Sequence, residues 1–369
     1  MKKLLLTLAL LTGILGIAIF LMLQMKPFGK NPTGLRLERI QHSPNYRDGK
    51  FHNLSETPMM TGDNALWDSL REWFFDRTNT EPPASIPSIK TDLNNLSGET
   101  PQLIWFGHSG YLLKFGHLHI AIDPILTESI SPVPGFMNSY NGTFLYKPDD
   151  MPPLDAIIIT HDHYDHLNYE TVIALKSRTK RFITALGVGE HLEYWGIDKN
   201  MITELDWWEK TTIGDSILLT ATPARHFSGR GLINDKTLWA SFVFQTPQKT
   251  LYIGGDSGYD TFFKTIGERF PSIDLAIMEC GQYNTKWALI HFMPEETVQA
   301  ALDLGAKALM PVHWGRFTLA SHRWSEPIER VSKEAEKRGL VLCTPHIGER
   351  VELDKPLPNK AWWKDISSH

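Results

Sequence analysis

Short apolar runs alternate with glycine- and proline-containing turns through most of the chain, and this pattern predicts many short β-strands. The predicted strands are residues 103–106, 111–115, 118–122, 154–159, 181–186, 216–221, 241–245, 250–253, 275–278, 307–311 and, as the last clear strand, 340–344. Helices are predicted over 169–177 and 189–195, and from Pro294, which suits the first position of a helix. About a dozen strands with interspersed helices indicate a mixed fold, α/β or α+β.

The N-terminus of the chain has a different pattern. An uncharged stretch from Leu4 to Met25 follows a pair of lysines and is long enough to cross a bilayer as a helix, which needs about 20 residues. Its end offers no cleavage site of small residues, so we predict an uncleaved transmembrane signal anchor over 1–25 rather than a cleaved signal peptide. The charged N-terminus favours the cytoplasmic side, although Lys26 and Lys30 compete with it. The predicted location is therefore a bacterial-type inner membrane, with the rest of the chain in the periplasm.

Residues 26–98 are predicted to form an N-terminal extension with one amphipathic helix. The part up to about residue 60 lacks periodicity and is predicted to be irregular. After it, Asp63 or Asn64 is predicted to cap a helix that runs to about Arg77. One face of this helix carries Leu66, Leu70, Trp73 and Phe74. We expect this face to pack on the main domain; contact with lipid or acyl chains near a functional site is the alternative.

Length and composition are those of a globular protein with one large domain or two ordinary ones. The chain has 369 residues, of which 42% are hydrophobic and 21% are charged. We predict that residues 99–369 form the main domain. The net charge is −5 and there is no long basic run, so nucleic acid is not expected as a partner. Cys280 and Cys343 lie in or beside apolar runs, so buried free thiols are expected, with a disulfide as the alternative.

Histidines and aspartates follow the predicted strands at several points, and they are the main chemical signal in the chain. The segment 160–167 comes directly after the predicted strand 154–159 and contains His161, His163 and His166 together with two aspartates. Residues His161 and His163 alternate by two, so that both can point at one ion, whereas Asp165 and His166 can point at a second ion nearby. Three further candidate ligands end other apolar runs: His226, Asp256 and His313. Imidazole and carboxylate groups are metal ligands, and strand ends are where such folds place their chemistry.

The pattern His-x-His-x-Asp-His resembles the signature of the metallo-β-lactamase superfamily. Six further segments are similar to the branch of this superfamily that contains N-acylphosphatidylethanolamine-hydrolysing phospholipase D: 105–110, 122–124, 224–228, 254–259, 291–296 and 311–315. The resemblance covers roughly residues 40–355. It implies a four-layer αβ/βα sandwich and makes 99–369 a catalytic domain of this fold.

The resemblance also implies the ligand sets. One metal would be bound by His161, His163, His226 and Asp256, and the second by Asp165, His166, Asp256 and His313, so that Asp256 would bridge the ions. Two Zn²⁺ ions suit this set, with Mn²⁺ or Fe²⁺ as alternatives. Two ions about 3.5–4 Å apart can share a water and lower its pKa towards about 7, which would supply a metal-bound hydroxide. Relatives that reduce oxygen carry glutamate where this chain has His163, which argues against redox chemistry.

Other polar residues of these segments are weaker candidates. Beside Asp165 and Asp256, His291 is predicted to be catalytic, because it precedes a helix start and could contact the substrate. Asp123 ends a predicted strand and could orient a ligand histidine from behind. The remaining candidates for contact with substrate or ligands are His108, Gln282 and Tyr283. A structural role is the alternative for each of them, and it is the expected role of His191, His322 and His346.

The sequence therefore favours a dinuclear metallohydrolase, most simply a phosphodiesterase of phospholipase D type that acts on N-acylphosphatidylethanolamine-like membrane lipids. Apolar residues in predicted loops at the mouth of the site would meet the acyl chains: Val133, Phe136, Met137, Trp207 and Trp208. One alternative is a hydrolase of a lactone, an amide or a sugar-phosphate ester. The other is a membrane-tethered metal-binding protein without catalysis, which a complete ligand set disfavours. The expected partners are a lipid substrate and the membrane that holds the N-terminal helix.

Overall fold

The structure, a computed structural model, describes residues 2–75, 78–133 and 135–366. Its helices are α1 (Lys2–Leu23), α2 (Gly34–Gln41), α3 (Ala65–Phe75), α4 (Tyr169–Leu175), α5 (Gly189–Tyr194), α6 (Phe262–Arg269), α7 (Pro294–Asp303), α8 (Glu326–Arg338) and α9 (Trp363–Ile366). Two very short strands, β1 (Tyr46–Arg47) and β2 (Lys50–Phe51), form a hairpin in the N-terminal extension. The other strands form two sheets of seven strands each.

The first sheet holds the segments that carry the metal motif. In spatial order its strands are β16 (Arg350–Glu352), β3 (Gln102–Trp105), β4 (Tyr111–Phe115), β5 (Leu118–Ile122), β6 (Ala156–Ile159), β7 (Phe182–Ala185) and β8 (Ile202–Leu205). Strands β5 to β8 run parallel to one another, whereas β16, β3, β4 and β5 pair antiparallel. The residues of β6, Ala156–Ile159, are all buried, as expected for a central parallel strand.

The second sheet has a similar arrangement. Its spatial order is β15 (Val341–Leu342), β14 (Ala308–Val312), β13 (Leu275–Glu279), β12 (Thr250–Ile253), β11 (Ser241–Gln245), β10 (Ile217–Thr222) and β9 (Lys210–Ile213). Strands β12 to β15 are parallel and β9 to β12 antiparallel. Helix α7 contacts β13 and β14, and α8 contacts β15, whereas α5 contacts β8 of the first sheet. The two sheets share one core, in which the rings of Phe115 and Phe244 lie 5.1 Å apart.

The predicted mixed α/β fold is confirmed, and four strands have the predicted bounds: β4, β5, β11 and β12. The prediction of an irregular segment up to about residue 60 is wrong, because α2 and the β1–β2 hairpin lie there. Tertiary contacts explain α2: Ile40 is buried in the core and Arg36 pairs with Glu190 and Glu204. Strand β16 follows the segment that was predicted to be the last strand. The two cysteines are buried and free, as predicted.

Helix α3 contradicts the prediction that its apolar face packs on the main domain. Ala65 is buried, and Glu72 pairs with Lys286, so the polar side of the helix faces the domain. The opposite side is exposed: Leu66 is 58% exposed and Phe74 is 69% exposed. Of the four residues of the predicted face, Trp73 alone is half-buried. The predicted helix end at Arg77 lies outside the described residues.

The two tryptophans predicted for a loop at the mouth of the site are placed elsewhere. Trp207 is buried, and its indole Nε1 donates to the carbonyl of Trp239 at 2.8 Å. Trp208 is half-buried, with the guanidinium of Arg269 4.2 Å from the centre of its ring. These two side chains are therefore part of the packing of the second sheet and do not offer a lipid surface. Phe136 and Met137, in contrast, are exposed.

Candidate metal centre

The predicted ligands come together where the ends of several strands meet, and they form two clusters. The His163 cluster contains His161, His163, His226 and Asp256, and the His313 cluster contains His108, Asp165, His166 and His313. Within each cluster, one nitrogen or oxygen atom from every side chain lies within 4.8 Å of the others. All seven ligands that were predicted from the sequence lie in these two clusters. His108 is the eighth side chain of the clusters.

Three imidazole nitrogens converge in the His163 cluster. His161 Nε2 lies 3.0 Å from His163 Nδ1, and His226 Nε2 lies 3.2 Å from the same atom. Ligands at 2.0–2.1 Å around a tetrahedral ion would be separated by about 3.3 Å. The observed separations are close to this value, so the three nitrogens need little movement to hold one ion.

The carboxylate of Asp256 lies between the clusters and turns one oxygen towards each. Its Oδ2 lies 3.8 Å from His161 Nε2 and 3.8 Å from His226 Nε2. Its Oδ1 lies 3.2 Å from His166 Nε2 and 3.3 Å from His313 Nδ1. This is the orientation that a carboxylate bridging two ions requires.

The distal nitrogens of the ligand histidines are held by hydrogen bonds from behind, as is usual at metal centres. His166 Nδ1 lies 2.8 Å from Asp123 Oδ2, so Asp123 occupies the orienting position that its sequence context suggested. Asp123 also accepts hydrogen bonds from the backbone N–H and the hydroxyl of Thr160. His226 Nδ1 donates to the carbonyl of Ile290 at 2.7 Å. The sequence alone did not single out Thr160, which anchors this network.

His108 and His313 lie in two neighbouring loops with unusual backbone geometry. Their φ angles are 54° and 66°, in the left-handed region that costs a non-glycine residue of order 1–3 kcal/mol. The N–H of His313 donates to the carbonyl of His108, and their rings lie 4.1 Å apart. His108 Nε2 donates to Asp165 Oδ2 at 2.8 Å. Strained backbone is therefore used to hold the His313 cluster together.

The donor atoms of the centre fit divalent cations. Among the residues that the structure describes, none gives a hydrogen bond to three buried atoms of the centre: His166 Nε2, His313 Nε2 and Asp256 Oδ1. Burial lowers the pKa of His161, His226 and His313 well below the usual value, so these imidazoles are neutral at neutral pH. Neutral imidazole is the form that binds a metal ion. The set of nitrogen and carboxylate donors, without thiolate, suits Zn²⁺ and related ions.

His291 lies beside both clusters and is paired with a buried glutamate that the sequence reasoning missed. His291 Nδ1 donates to Glu279 Oε2 at 2.8 Å, and Glu279 is fully buried at the end of β13. Burial raises the pKa of Glu279, and the contact with Glu279 raises the pKa of His291 against the effect of burial, so the two side chains share a proton. A single charged residue inside the apolar run of β13 was the signal available in the sequence.

Gln282 and Tyr283 are neighbours in the chain, but their side chains lie in different environments. Gln282 lines the cavity at the centre, and its amide bonds to the backbone of Phe317 and Leu319. Tyr283 does not line this cavity, which corrects the sequence-based expectation. Its hydroxyl donates to Glu326 of α8 at 2.5 Å, so the side chain points away from the metal ligands into the contact with that helix.

A cavity of about 270 Å³ opens onto the two clusters. His163, Asp165, Asp256, His291 and His313 form its floor. Its walls are mainly apolar and consist of Met59, Met60, Phe227, Trp287, Ile290 and Leu319. Part of this wall, Met59 and Met60, comes from the N-terminal extension. The arrangement can bring a polar group to the metal ligands while an attached apolar group contacts the wall.

Comparison with known proteins gives matches over most of the chain. The profile of the family described as "Beta-lactamase superfamily domain" matches residues 122–314, a little over half of the chain. An uncharacterised protein of Mycobacterium tuberculosis (strain ATCC 25618 / H37Rv) is 38% identical over 337 residues, covering 88% of this chain and 88% of that protein. N-acyl-phosphatidylethanolamine-hydrolyzing phospholipase D 1 of Caenorhabditis elegans is 29% identical over 253 residues, covering 63% of this chain and 69% of that protein.

One solved structure supports the fold. Igni18, a metallo hydrolase from the hyperthermophilic archaeon Ignicoccus hospitalis, is similar with a TM-score of 0.52 and 20% sequence identity. The likeness covers 68% of this chain and 97% of that chain. At this level of identity the likeness concerns the fold alone.

Proposed function

The chain belongs to the β-lactamase superfamily as a metal-dependent hydrolase, and from this premise we propose that it cleaves a phosphodiester bond of membrane lipids. The reaction is of phospholipase D type, and the proposed substrates are N-acylphosphatidylethanolamine-like lipids. The observation that carries this proposal is the cavity, whose floor is made of metal ligands and whose walls are apolar. The similarity to a phospholipase D of this specificity in Caenorhabditis elegans supports the same substrate class.

The proposed ligands are those of the two clusters, with one ion in each and Asp256 shared between them. Bound ions would act as Lewis acids on the phosphate and lower the pKa of water at the site. Two Zn²⁺ ions are proposed, and the donor set also accepts Mn²⁺ or Fe²⁺. Asp123 holds His166 in the tautomer whose Nε2 faces the site, and His108 fixes one oxygen of Asp165.

His291 is proposed to act on the leaving group. Its Nδ1 is bound to Glu279, which leaves Nε2 for the cavity that His291 lines. The pKa values of His291 and Glu279 are both raised, so the pair keeps a proton that the ring can carry on Nε2. It could therefore donate this proton to the alcohol oxygen that leaves the phosphorus, as a general acid does. The apolar walls keep bulk water away from the same place.

The experiment that tests the proposed function is incubation of the purified, metal-loaded chain with a total lipid extract, followed by mass spectrometry. We expect N-acylated phosphatidylethanolamines to disappear while phosphatidic acid and the matching N-acylethanolamines accumulate. A variant with both His161→Ala and His163→Ala is the inactive control. Turnover of a lactone, an amide or a sugar-phosphate ester with the lipids untouched would favour the alternative hydrolase. Two bound ions without turnover of any of these compounds would favour a non-catalytic metal-binding protein.

We further propose that α1 is a signal anchor, followed by an extension over 26–98 and a catalytic domain over 99–369. The segment Leu5–Leu23 is long and apolar enough to cross a membrane, with a mean hydropathy of 2.6. Its described side chains are mostly exposed, so the rest of the chain does not cover them. The proposed location is an inner membrane with the catalytic domain in the periplasm. We expect the full chain to stay in the membrane fraction after alkaline carbonate washing; a soluble form that begins after residue 25 would show a cleaved signal instead.

A further inference from the structure

The chain that leaves α1 is attached directly to the loop that carries the metal motif. Arg230 is buried and its guanidinium makes the connection. Its Nε and Nη2 donate to the carbonyl of Pro27 at 3.0 and 2.6 Å. Its Nη1 donates to the carbonyls of Asp162 and Leu167 at 2.6 and 2.7 Å. The end of α1 at Leu23 is therefore only a few residues from a contact with the metal motif.

Further contacts fix the same segment, so it is not a free linker. The N–H of Lys30 donates to His191 Nδ1 at 3.0 Å, and His191 Nε2 lies 3.1 Å from Asp162 Oδ2. Trp195 Nε1 donates to the carbonyl of Lys26 at 2.8 Å. Gly29 has a φ of 70°, and a Cβ at this position would lie 2.1 Å from His191 Nδ1. A side chain there is excluded, which keeps the segment tight against the domain.

Two large aliphatic side chains project into solvent next to this attachment. Leu232 is 82% exposed and Ile233 is 57% exposed, and they follow Arg230 in the same loop. We call Gly231, Leu232 and Ile233 the lip. Leu23 at the end of α1 lies 4.0 Å from the position that a Cβ of Gly231 would take. The exposed side chains of the lip therefore lie close to the point where α1 ends.

The lip is also continuous with the mouth of the cavity. The residue after it, Asn234, donates through its Nδ2 to the sulfur of Met59 at 3.8 Å. Met59 is 38% exposed and forms part of the cavity wall. Phe227, which precedes the loop, lines the same wall. The lip is thus connected through Asn234 and Met59 to the wall of the cavity that contains the metal ligands.

We propose that the lip inserts into the lipid bilayer beside the end of α1, so that the mouth of the cavity is held at the membrane surface. The proposal rests on the proposed anchor and deepens it, because it gives the route by which a lipid reaches the site. A lipid can then slide over Met59 into the cavity without passing through water.

Spin labels test the depth of the lip. Leu232→Cys and Ile233→Cys variants of the full chain can be labelled selectively, because both native cysteines are buried. The labelled protein is reconstituted into vesicles of phosphatidylcholine and phosphatidylglycerol, and collisions with oxygen and with a water-soluble nickel chelate are measured. Val341→Cys is the matched control, since Val341 is 54% exposed on β15, and the lip follows β10 near the opposite edge of the same sheet. We expect a higher ratio of oxygen to chelate collisions at both lip positions than at the control.

Flotation of the same vesicles separates the two ways in which the proposal can fail. If the chain floats with the vesicles and the lip labels collide with the chelate as often as the control label does, the lip is not inserted, although the anchor is. If the full chain does not float, α1 is not a membrane anchor, and the proposal that the lip inserts into the bilayer is wrong as well. Neither outcome bears on hydrolysis of lipids, which the experiment with the lipid extract measures separately.

Discussion

Replacing Asp256 with asparagine is expected to weaken metal binding at both clusters and to lower the rate of hydrolysis at least ~100-fold. This is more than the roughly 10–100-fold loss that follows when a residue hydrogen-bonded to a metal ligand is replaced, because Asp256 is itself a proposed ligand. The carboxylate turns Oδ1 towards His166 and His313 and Oδ2 towards His161 and His226. An amide keeps one oxygen and places an NH₂ group, which is not a metal ligand, against the other cluster. It also removes a negative charge from between the two clusters, which weakens the attraction of the centre for cations. The number of ions per chain after equilibrium dialysis checks this result.

Asp165→Asn is the matched control for this experiment. Asp165 belongs to the His313 cluster alone, so this variant should release one ion and keep the ion of the His163 cluster. Thermal unfolding of both metal-free variants shows whether the fold is kept. If Asp256→Asn released a single ion and left hydrolysis unimpaired, Asp256 would not bridge the two clusters.

The metal ligands could be predicted from the sequence because of two signals: the close spacing of the histidines and aspartates, and their position directly after predicted strands. His161 and His163 follow a buried parallel strand, and His226, Asp256 and His313 follow the ends of other strands. Strand ends that meet at one edge bring such residues together irrespective of the loops between them. The polar residues behind the ligands were harder to predict. Ser109 and Glu279 contact His313 and His291 through the tertiary fold, and Thr160 donates to Asp123, which lies 37 residues before it in the chain.

The errors in the prediction concern side chains whose contacts are with residues distant in the sequence. Periodicity identified α3 correctly, but it could not tell whether its apolar side faces the domain or solvent. The ion pair of Glu72 with Lys286, more than 200 residues away in the chain, decides this orientation. Tyr283 follows a strand near the site, yet its hydroxyl bonds to Glu326 of α8. Helix α8 ends at Arg338 and is followed by Gly339, which has a left-handed φ of 69°, so a signal for the end of this helix was present in the sequence.

Helix α3 lies next to the turn that supplies Trp287 to the cavity wall, and its apolar face is exposed. Helix α3 contacts the short helical turn Thr285–Trp287, and Trp287 lines the cavity wall. The N–H of Thr61, next to the wall residue Met60, donates to the carbonyl of Lys286 at 2.7 Å. An exposed apolar helix face therefore lies on the Trp287 side of the cavity, and the lip lies on the Met59 side. Both surfaces suit a substrate that brings long acyl chains.

Long-chain lipids are therefore expected to be hydrolysed in strong preference to short soluble esters, and α3 is expected to contribute to this preference. Each methylene that leaves water contributes about 0.8 kcal/mol, which is roughly fourfold in the apparent KM. Trp67 is 72% exposed and Phe74 is 69% exposed on the outer face of α3. The double variant Trp67→Ser, Phe74→Ser should raise the apparent KM for long-chain substrate about tenfold. Tenfold corresponds to about 1.4 kcal/mol of binding free energy, which is less than two fully buried aromatic rings would contribute. A small soluble phosphodiester should be hydrolysed as before, because neither residue reaches the metal ligands.

Leu35→Ser changes a similarly exposed side chain on α2 and should leave the hydrolysis of both substrates unaffected. Equal activity of the unaltered protein on short and long chains would overturn the lipid proposal and favour a hydrolase of soluble esters.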